Sequence, residues 1–392
     1  MDDSNGRRFK KVLLAATEDW FILSHFRPLI SALRPLCSEL VVVTRCAGRE
    51  GEIRALGARV VHLPFRRKSL NAAEQGLAAL RLARVLEAER PDVVHLVALN
   101  PIVIGAAAIR LFHVPAVVAH VTGLGYLGTA RNLAIRAARR ISFSLVDRML
   151  NERVSWVLAE NASDLIDLRA FGVAVGEHAT VLGGAGVDPN MYTAAPHPQN
   201  DVPVAASVSR LIHSKGLDVL VSARDLLVAR GIPLRVRVFG RHDPDNPETI
   251  APDQLQKWLA RGAIEGGYET RDVPSVWRDA DIAVLPARTR EGMPRSMLEA
   301  AACGRPLIVT DVPGLRDFVR DEQEGIVVPP NDPVALADAL ERLSTAPELR
   351  VRMGEAARAR ILSHFTEAHV IESIERVYME MAARLRAEER RR

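Results

Sequence analysis

The segment VAASVSRLIHSKGLDVLVSARDLLVARG, residues 204–231, contains the clearest fold signal of the chain. It begins with a short apolar run typical of a buried strand, continues through a polar turn, and ends in a helical pattern that stops at Gly231. A strand, a turn and a helix in this order form the repeating unit of a doubly wound α/β sheet. Because this unit starts in the middle of a 392-residue chain, it predicts that a second sheet begins here.

The rest of the chain repeats the same alternation. The first half contains five further strand candidates, KKVLLAAT, ELVVVTR, ARVVHLP, DVVHLV and PAVVAHV, with helical spacing in HFRPLISALRPL and NAAEQGLAALRLARVLEAERP. The second half adds LRVRVFG, AIEGGY, IAVLPA, PLIVT and GIVVPP. Runs of this kind indicate parallel strands with helices on both faces.

We therefore predict an α/β fold with two Rossmann-like, doubly wound parallel-sheet domains facing a cleft. The polar, proline-bearing segment TAAPHPQNDVP (193–203) marks the boundary, so the domains are expected at 1–197 and 198–365. A charged helix at about 366–392 is long enough to rejoin the first domain. Ligands of open α/β sheets bind at the carboxyl ends of the strands, so the substrate site is expected there.

Composition excludes several classes of protein. The chain is 48% hydrophobic and 26% charged, which is typical of a globular protein, and its aromatic content of 5% argues against a nucleic-acid-binding surface. The three cysteines, Cys37, Cys46 and Cys303, show no paired spacing, so neither a disulfide framework nor a zinc site is expected. The unpaired cysteines fit a reducing cytosol. The N-terminal apolar run, Val12 to Ala16, is too short for a signal peptide and no stretch has the length of a membrane span, so a soluble or peripheral protein is expected.

Charge is distributed unevenly along the chain. Residues 1–190 contain 24 Lys and Arg against 18 Asp and Glu, although the whole chain carries only +4. Within this half, ARNLAIRAARRISFSLVDRML (130–150) places arginines among apolar residues at helical spacing. Such a basic amphipathic helix fits an anionic membrane surface, or equally a packed helix with a solvated basic face.

The segment REGMPRSMLEAAACGRP (290–306) combines two acids with a helix start. Pro294 suits the first turn of a helix, and the amides of Arg295, Ser296 and Met297 are then expected to point outward toward a phosphate or diphosphate. An acid in the preceding loop, Glu291, suits sugar hydroxyls, and one within the helix, Glu299, suits a ribose. The spacing predicts a nucleotide-sugar site; the alternative is a capped helix with solvated acids.

Two cations follow the first strand of the second domain. Arg210 and Lys215 lie in SRLIHSKGLDVL (209–220), five residues apart in the turn between strand and helix. Cations at this position can hold a diphosphate whose negative charge grows as it leaves. The alternative is a pair of exposed loop cations, but both motifs are expected at the same edge of one sheet.

With these residues, the sequence resembles the retaining family-four glycosyltransferases, which have the GT-B fold. The resemblance is carried by EGMPRSMLE with the following AAACGRPLIVTDVPG, by SRLIHSKG and by GAGVDPNMY (184–192). Within that family, DWFILSHFRPL, PDVVHLVALNP and AHVTGLGYLG are similar to bacterial enzymes that build surface glycans on lipid-linked acceptors. One departure is the loop after the first strand, which reads Thr17-Glu18-Asp19-Trp20 where many relatives have paired glycines.

The resemblance implies a role for each matching residue. The donor-binding set is Arg210, Lys215, Glu291, Gly292, Met293, Arg295, Ser296 and Glu299, with the diphosphate on the cations and helix start and the ribose on Glu299. The catalytic set is His120, Glu291, Arg210 and Lys215, in which His120 lies near the reacting centre. The acceptor-side candidates are His25, Arg27, Gly123 and Gly125. The residues themselves leave His25, Arg27 and Asp188 open between cleft and structural roles.

The resemblance further implies transfer of a hexose or N-acetylhexosamine, with retention and without a metal ion or other cofactor, from a nucleotide-sugar, most simply a UDP-sugar. The acceptor would be a polyprenyl-diphosphate-linked glycan, and the enzyme would lie peripherally on the inner face of the plasma membrane. Two rivals stay open: a UDP-GlcNAc 2-epimerase on the same fold, and a non-catalytic nucleotide-sugar-binding subunit.

Three other patterns point elsewhere but are weaker. GLGYLG (123–128) satisfies a dinucleotide fingerprint, yet Asp147, the only acid at the expected offset, falls in a predicted helix. Asp243 and Asp245 have the spacing of a metal motif but lie in a proline-rich polar loop. His95, inside a predicted strand, is interpreted as a core histidine.

Overall fold

A computed structural model describes residues 8–65, 71–124, 133–198, 200–244 and 246–391. The chain divides into two compact units, one formed by residues 1–185 together with 367–392, the other by residues 186–366. The division lies at Ala185–Gly186, earlier than the boundary expected near residue 197. The reason is that the buried Arg305 side chain donates hydrogen bonds to the carbonyls of Ala195 and Pro196, which fixes this segment to the second unit.

Unit 1 contains a seven-stranded parallel sheet in the order β3-β2-β1-β4-β5-β6-β7. Its strands are β1 Phe9–Glu18, β2 Cys37–Arg45, β3 Arg59–His62, β4 Val93–Val97, β5 Ala116–Val121, β6 Val154–Ala159 and β7 Ala179–Val181. The last two are strands that the sequence reading did not identify.

The helices of unit 1 cover both faces of this sheet. They are α1 Asp19–His25, α2 Arg27–Leu33, α3 Glu50–Ala55, α4 Ala72–Glu89, α5 Leu99–Leu111, α6 Leu133–Asn151, α7 Ala162–Ala170 and the C-terminal α14 Glu367–Glu389. The helix predicted over 25–36 is interrupted at Phe26, because Pro28 starts a new helix in its first turn. Helix α14 packs on the sheet face formed by Val93, Val97 and Val118.

Unit 2 repeats the same topology with a six-stranded parallel sheet in the order β10-β9-β8-β11-β12-β13. Its strands are β8 Val204–Val208, β9 Arg235–Phe239, β10 Glu265–Tyr268, β11 Ile282–Leu285, β12 Leu307–Thr310 and β13 Gly325–Val328. Its helices are α8 Leu217–Ala229, α9 Pro252–Ala260, α10 Val273–Asp279, α11 Arg295–Ala302, α12 Pro333–Thr345 and α13 Pro347–His364. The predicted α/β class with two Rossmann-like parallel sheets is confirmed.

The strand order fixes where a ligand site can form. In unit 2 the chain runs outward from β8 to β10, then returns to place β11 against the other edge of β8. The loop after β8 and the loop after β11 therefore lead to opposite faces of the sheet. The crevice between the two loops is the usual ligand position in such sheets.

Candidate active site

The loop after β8 carries Lys215 to the carboxyl end of β11. A 3-10 turn, His213–Lys215, leads into Gly216, which has a left-handed φ of 69°. A Cβ at Gly216 would lie 1.9 Å from the carbonyl oxygen of Pro286, the residue that follows β11. Only glycine permits this approach, which sets Lys215 beside the loop that bears Glu291.

The loop after β11 packs closely against Gly314. The Glu291 amide donates to the Pro313 carbonyl at 3.0 Å. Gly314 has a φ of 86°, and a Cβ there would lie 1.9 Å from the Gly292 carbonyl oxygen. The backbone at Glu291 and Gly292 therefore rests directly on a glycine in a loop distant in sequence.

Replacing Gly314 by alanine is expected to displace this loop and impair the site. A left-handed alanine costs about 1–2 kcal/mol, and the contact with Gly292 adds to that cost. Gly231→Ala is a matched control, because Gly231 also has a positive φ, 74°, but nothing lies within 4 Å of its Cβ position. Urea unfolding should show Gly314→Ala as the less stable variant, and only that variant should bind donor more weakly; equal behaviour would contradict this role.

Lys215 and Glu291 form an ion pair across the crevice. Lys215 Nζ lies 2.6 Å from Glu291 Oε1, and the two side chains are only 16% and 19% exposed. They border a cavity of about 270 Å³, including the part open to solvent, which is lined by Ser207, Ser209, Lys215, Leu285, Pro286, Ala287, Glu291, Pro294, Ser296 and Leu315. The fold thus brings the two sequence motifs into one pocket of unit 2.

Helix α11 begins at this pocket. Pro294 precedes its first residue, and Ser296 in the first turn lines the cavity. The Met297 amide donates to the Pro294 carbonyl at 3.1 Å, so the expectation that it points outward was wrong. The tight first turn explains the difference, because the Pro294 carbonyl accepts the amide three residues later.

Glu299 is buried, in contrast to the solvated acids of the alternative interpretation. Its side chain is 9% exposed, and its Oε1 atom is 3.2 Å from Arg295 Nε. Burial raises the pKa of the Tyr192 hydroxyl, and the nearby charge of Glu299 raises it further. The Met293 side chain is also buried in the core, which leaves its backbone as the part that can meet a ligand.

Arg210 stands apart from the cavity lining. Its Nη1 atom is 3.5 Å from Asp243 Oδ2, and its side chain is 36% exposed. Asp243 therefore faces a cation, while Asp245 lies outside the described residues. Within the described ranges, no group of three or more His, Cys, Asp or Glu side chains is arranged to hold a metal ion.

In unit 1, His120 is buried near the carboxyl end of β5. It is 2% exposed, and burial lowers its pKa to about 3, so the imidazole is neutral at physiological pH. The Phe26 ring packs edge-on against it at 5.3 Å. Phe26 lies in the quoted motif DWFILSHFRPL, but no local pattern indicates that its ring packs against His120.

The acceptor-side candidates differ in their hydrogen-bond partners and backbone conformation. His25 Nδ1 is 2.7 Å from the Ser24 hydroxyl, and Arg27 Nε donates to the Leu23 carbonyl at 2.9 Å. Gly123 has a φ of 109°, which favours glycine. Gly125 and most of GLGYLG lie outside the described residues.

The residues expected as a loop after the first strand belong to regular elements, because Glu18 ends β1 and Asp19 begins α1, and both carboxylates make internal contacts. The buried Asp19 carboxylate accepts hydrogen bonds from the backbone amides of Trp20, Ala47 and Arg49. The buried Glu18 carboxylate is bound by the guanidinium of Arg45 through two hydrogen bonds of 2.9 and 2.7 Å. Both acids are evident in the sequence, but no local pattern indicates that they bind Arg45 at the end of β2 and the backbone that follows it.

Two family models match this sequence. Residues 193–360 match the model described as glycosyl transferases group 1, and residues 11–160 match the one described as glycosyl transferase 4-like. The matched ranges together cover about four-fifths of the chain.

Several known proteins are similar to this chain. The alpha-D-kanosaminyltransferase of Streptomyces kanamyceticus is 35% identical over 164 residues, 40% of each chain, so less than half of that relative's length is spanned. The N,N'-diacetylbacillosaminyl-diphospho-undecaprenol alpha-1,3-N-acetylgalactosaminyltransferase of Campylobacter jejuni is 23% identical over 346 residues, 85% of this chain and 89% of its own. The structure of Anabaena HepE in complex with UDP-glucose superposes with a TM-score of 0.74 at 16% identity, covering 94% of this chain and 99% of that one.

Proposed function

The chain belongs to the group 1, family-four-like glycosyltransferases of the GT-B fold, and we propose that it moves a hexose or N-acetylhexosamine from a UDP-sugar to a glycan carried on polyprenyl diphosphate. The assignment of the sugar donor to unit 2 rests on the Lys215–Glu291 pair. This pair lines the cavity at the point where the strand order of the sheet reverses. The reaction proceeds with retention at the anomeric carbon and needs no metal ion.

The cavity, together with Arg210 and Glu299 outside its lining, supplies the groups that a nucleotide-sugar requires. Lys215 and the first turn of α11 at Ser296 hold the diphosphate, since an ammonium and helix amides favour anionic oxygens. Glu291 accepts hydrogen bonds from the sugar hydroxyls. Arg210, whose 3.5 Å contact with Asp243 is long, turns to the diphosphate when the donor binds. Glu299 binds the ribose with its orientation fixed by Arg295.

The chemistry is charge separation followed by attack from the same face. The bond between the anomeric carbon and the leaving phosphate oxygen breaks, and an acceptor hydroxyl oxygen forms the new bond to that carbon. The hydroxyl proton passes to the departing phosphate, so no covalent protein nucleophile is required. Cations held beside the leaving oxygens in the donor complex lower the barrier, because the charge they meet is largest in the transition state.

The acceptor assignment rests on similarity and charge. The C. jejuni relative, which aligns over 85% of this chain, is named for transfer to a diphospho-undecaprenol-linked sugar. An acceptor of that kind stays in a bilayer, so the enzyme must work at an anionic membrane surface. Within the described ranges, no helix is both long and apolar enough to cross a membrane.

Helix α6 offers the surface for that attachment. Its buried side carries Phe143, Val146 and Met149, while Arg136, Arg140 and Arg148 are exposed beside Ile141, which is 64% exposed. Arg139 is different, because its guanidinium lies 4.3 Å from the centre of the Phe171 ring. The exposed arginines and Ile141 are suited to anionic head groups and the apolar layer beneath them.

Changing Arg136, Arg140 and Arg148 together to glutamine is expected to release the protein from anionic vesicles. Each arginine near such a surface contributes about 1 kcal/mol, so binding should fall roughly a hundredfold at 0.1 M salt. The control is the triple glutamine variant of Arg271, Arg278 and Arg352, which removes the same charge from exposed positions of unit 2. Equal cosedimentation of both variants with phosphatidylserine vesicles would reject the α6 surface.

The proposed activity is tested by offering UDP- and GDP-sugars with a polyprenyl-diphosphate-linked sugar and reading the products by mass. We expect one UDP-sugar to extend the lipid-linked acceptor by one residue, with an α anomer from an α donor, and unchanged turnover in EDTA. An epimerised sugar nucleotide formed without acceptor would identify a 2-epimerase instead. Donor binding without any turnover would identify a non-catalytic subunit, and loss of turnover in EDTA would refute metal independence.

A further inference from the structure

Three buried side chains form a hydrogen-bonded row through unit 1. The Tyr378 hydroxyl, from α14, is 2.9 Å from His95 Nδ1 on β4. His95 Nε2 is in turn 3.3 Å from His120 Nδ1 on β5. Tyr378 and His95 are fully buried and His120 is 2% exposed. The row begins with a contact between residues 283 positions apart and ends at His120, the histidine for which the resemblance implies a place near the reacting centre.

The parallel register explains how the row forms. His95 pairs with Val118, two residues before His120 on β5. Side chains two apart on a strand share a face, so both imidazoles point to the side that α14 covers. There the Tyr378 ring stacks on His95 with an interplanar angle of 11°.

The hydrogen-bond partners of Tyr378, His95 and His120 determine which atom of each side chain carries the proton. Among the described residues, the Tyr378 hydroxyl has a single hydrogen-bonding partner, His95 Nδ1. A buried hydroxyl proton without an acceptor costs about 1–3 kcal/mol, so the phenol donates and His95 Nδ1 accepts. The proton of neutral His95 then resides on Nε2 and is donated to His120 Nδ1. His120 must in consequence carry its own proton on Nε2.

His120 Nε2 is the unsatisfied end of the row. It is buried and has no hydrogen-bonding partner among the described residues. A buried polar atom without a partner is uncommon and often marks a position completed by a ligand. The neighbouring Phe26 ring, whose centre lies 5.3 Å from that of the imidazole, has no oxygen or nitrogen atom that could accept a hydrogen bond.

We propose that Tyr378 is a positioning residue which, through His95, fixes His120 in the Nε2-protonated form, so that His120 presents a neutral hydrogen-bond donor to a substrate oxygen. This rests on the proposed function in one respect, because it is the resemblance to the glycosyltransferases that implies a place for His120 near the reacting centre. It makes His120 a donor to an oxygen rather than a base that accepts the proton of the acceptor hydroxyl. Through Tyr378, the C-terminal helix α14 then helps to orient His120.

The test is the tautomer of His120 in the full-length protein, measured by NMR on protein labelled with ¹⁵N-histidine. In the unmodified protein we expect a proton on Nε2 and none on Nδ1. Tyr378→Phe keeps the ring but removes the hydroxyl, so neither tautomer of the pair is favoured and His120 should show a mixture. Because the rate is proportional to the fraction of His120 that is protonated on Nε2, kcat/KM should fall about twofold to tenfold.

Phe9→Leu is the control for packing. Phe9 contacts the Tyr378 ring edge-on at 5.8 Å without taking part in the hydrogen bonds. It should lower stability but leave the His120 tautomer unchanged. A proton on His120 Nδ1 in the unmodified protein, or an unaltered tautomer in Tyr378→Phe, would overturn the proposal. Unchanged turnover in His120→Ala would instead refute the role of His120 in the proposed function, while the NMR result would still stand.

Discussion

Replacing Lys215 by methionine is expected to lower kcat for sugar transfer by about 10²- to 10³-fold, the effect of losing one donor that acts in the transition state. Lys215 is the cation that lines the cavity of unit 2, and the leaving diphosphate gains negative charge as the sugar bond breaks. Methionine keeps most of the apolar stem that is buried in the loop. The change therefore removes mainly the charge.

The measurement is steady-state turnover with the preferred donor, accompanied by thermal unfolding. Lys257→Met is the matched control, because Lys257 is an exposed lysine on α9 of the same unit. It should turn over normally. Turnover of the Lys215 variant within threefold of the unmodified enzyme would remove Lys215 from the mechanism.

Replacing Glu291 by glutamine is expected to affect nucleotide binding and transfer in opposite directions. Its carboxylate lies 2.6 Å from Lys215 Nζ, so neutralising it removes a negative charge that repels the diphosphate. UDP should bind about threefold to tenfold more tightly, a change of about 1 kcal/mol. Transfer should fall by about 10²-fold, because the group that orients the sugar is lost.

Calorimetry with UDP and turnover with the UDP-sugar give the two readouts. The Lys215 variant is the contrasting case, since losing that cation should weaken UDP binding and transfer together. If Glu291→Gln also weakened UDP binding, Glu291 would act by holding Lys215 in place and not by contacting the sugar. The two variants thus distinguish binding of the diphosphate by Lys215 from orientation of the sugar by Glu291.

Much of the fold could be predicted because its signals are local. Five-residue apolar runs such as Val204–Val208 alternate with helical patterns, and turn residues such as Gly216 separate them. What failed was equally local: the break at Phe26 depends on one proline, and the Met297 amide depends on the detailed geometry of one helical turn. The short strand Ala179–Val181 has too few residues to produce a pattern.

Local sequence patterns were sufficient to predict two α/β domains and to predict that cations, acids and a helix start follow strands of the second one. Local periodicity carries this information, because strand and helix formation depend on neighbours in the chain. The contacts of Lys215 with Glu291, 76 residues away, and of Tyr378 with His95, 283 residues away, became visible only in the folded structure. Those contacts depend on strand order, on register and on the face that α14 covers, none of which a repeat of apolar residues encodes.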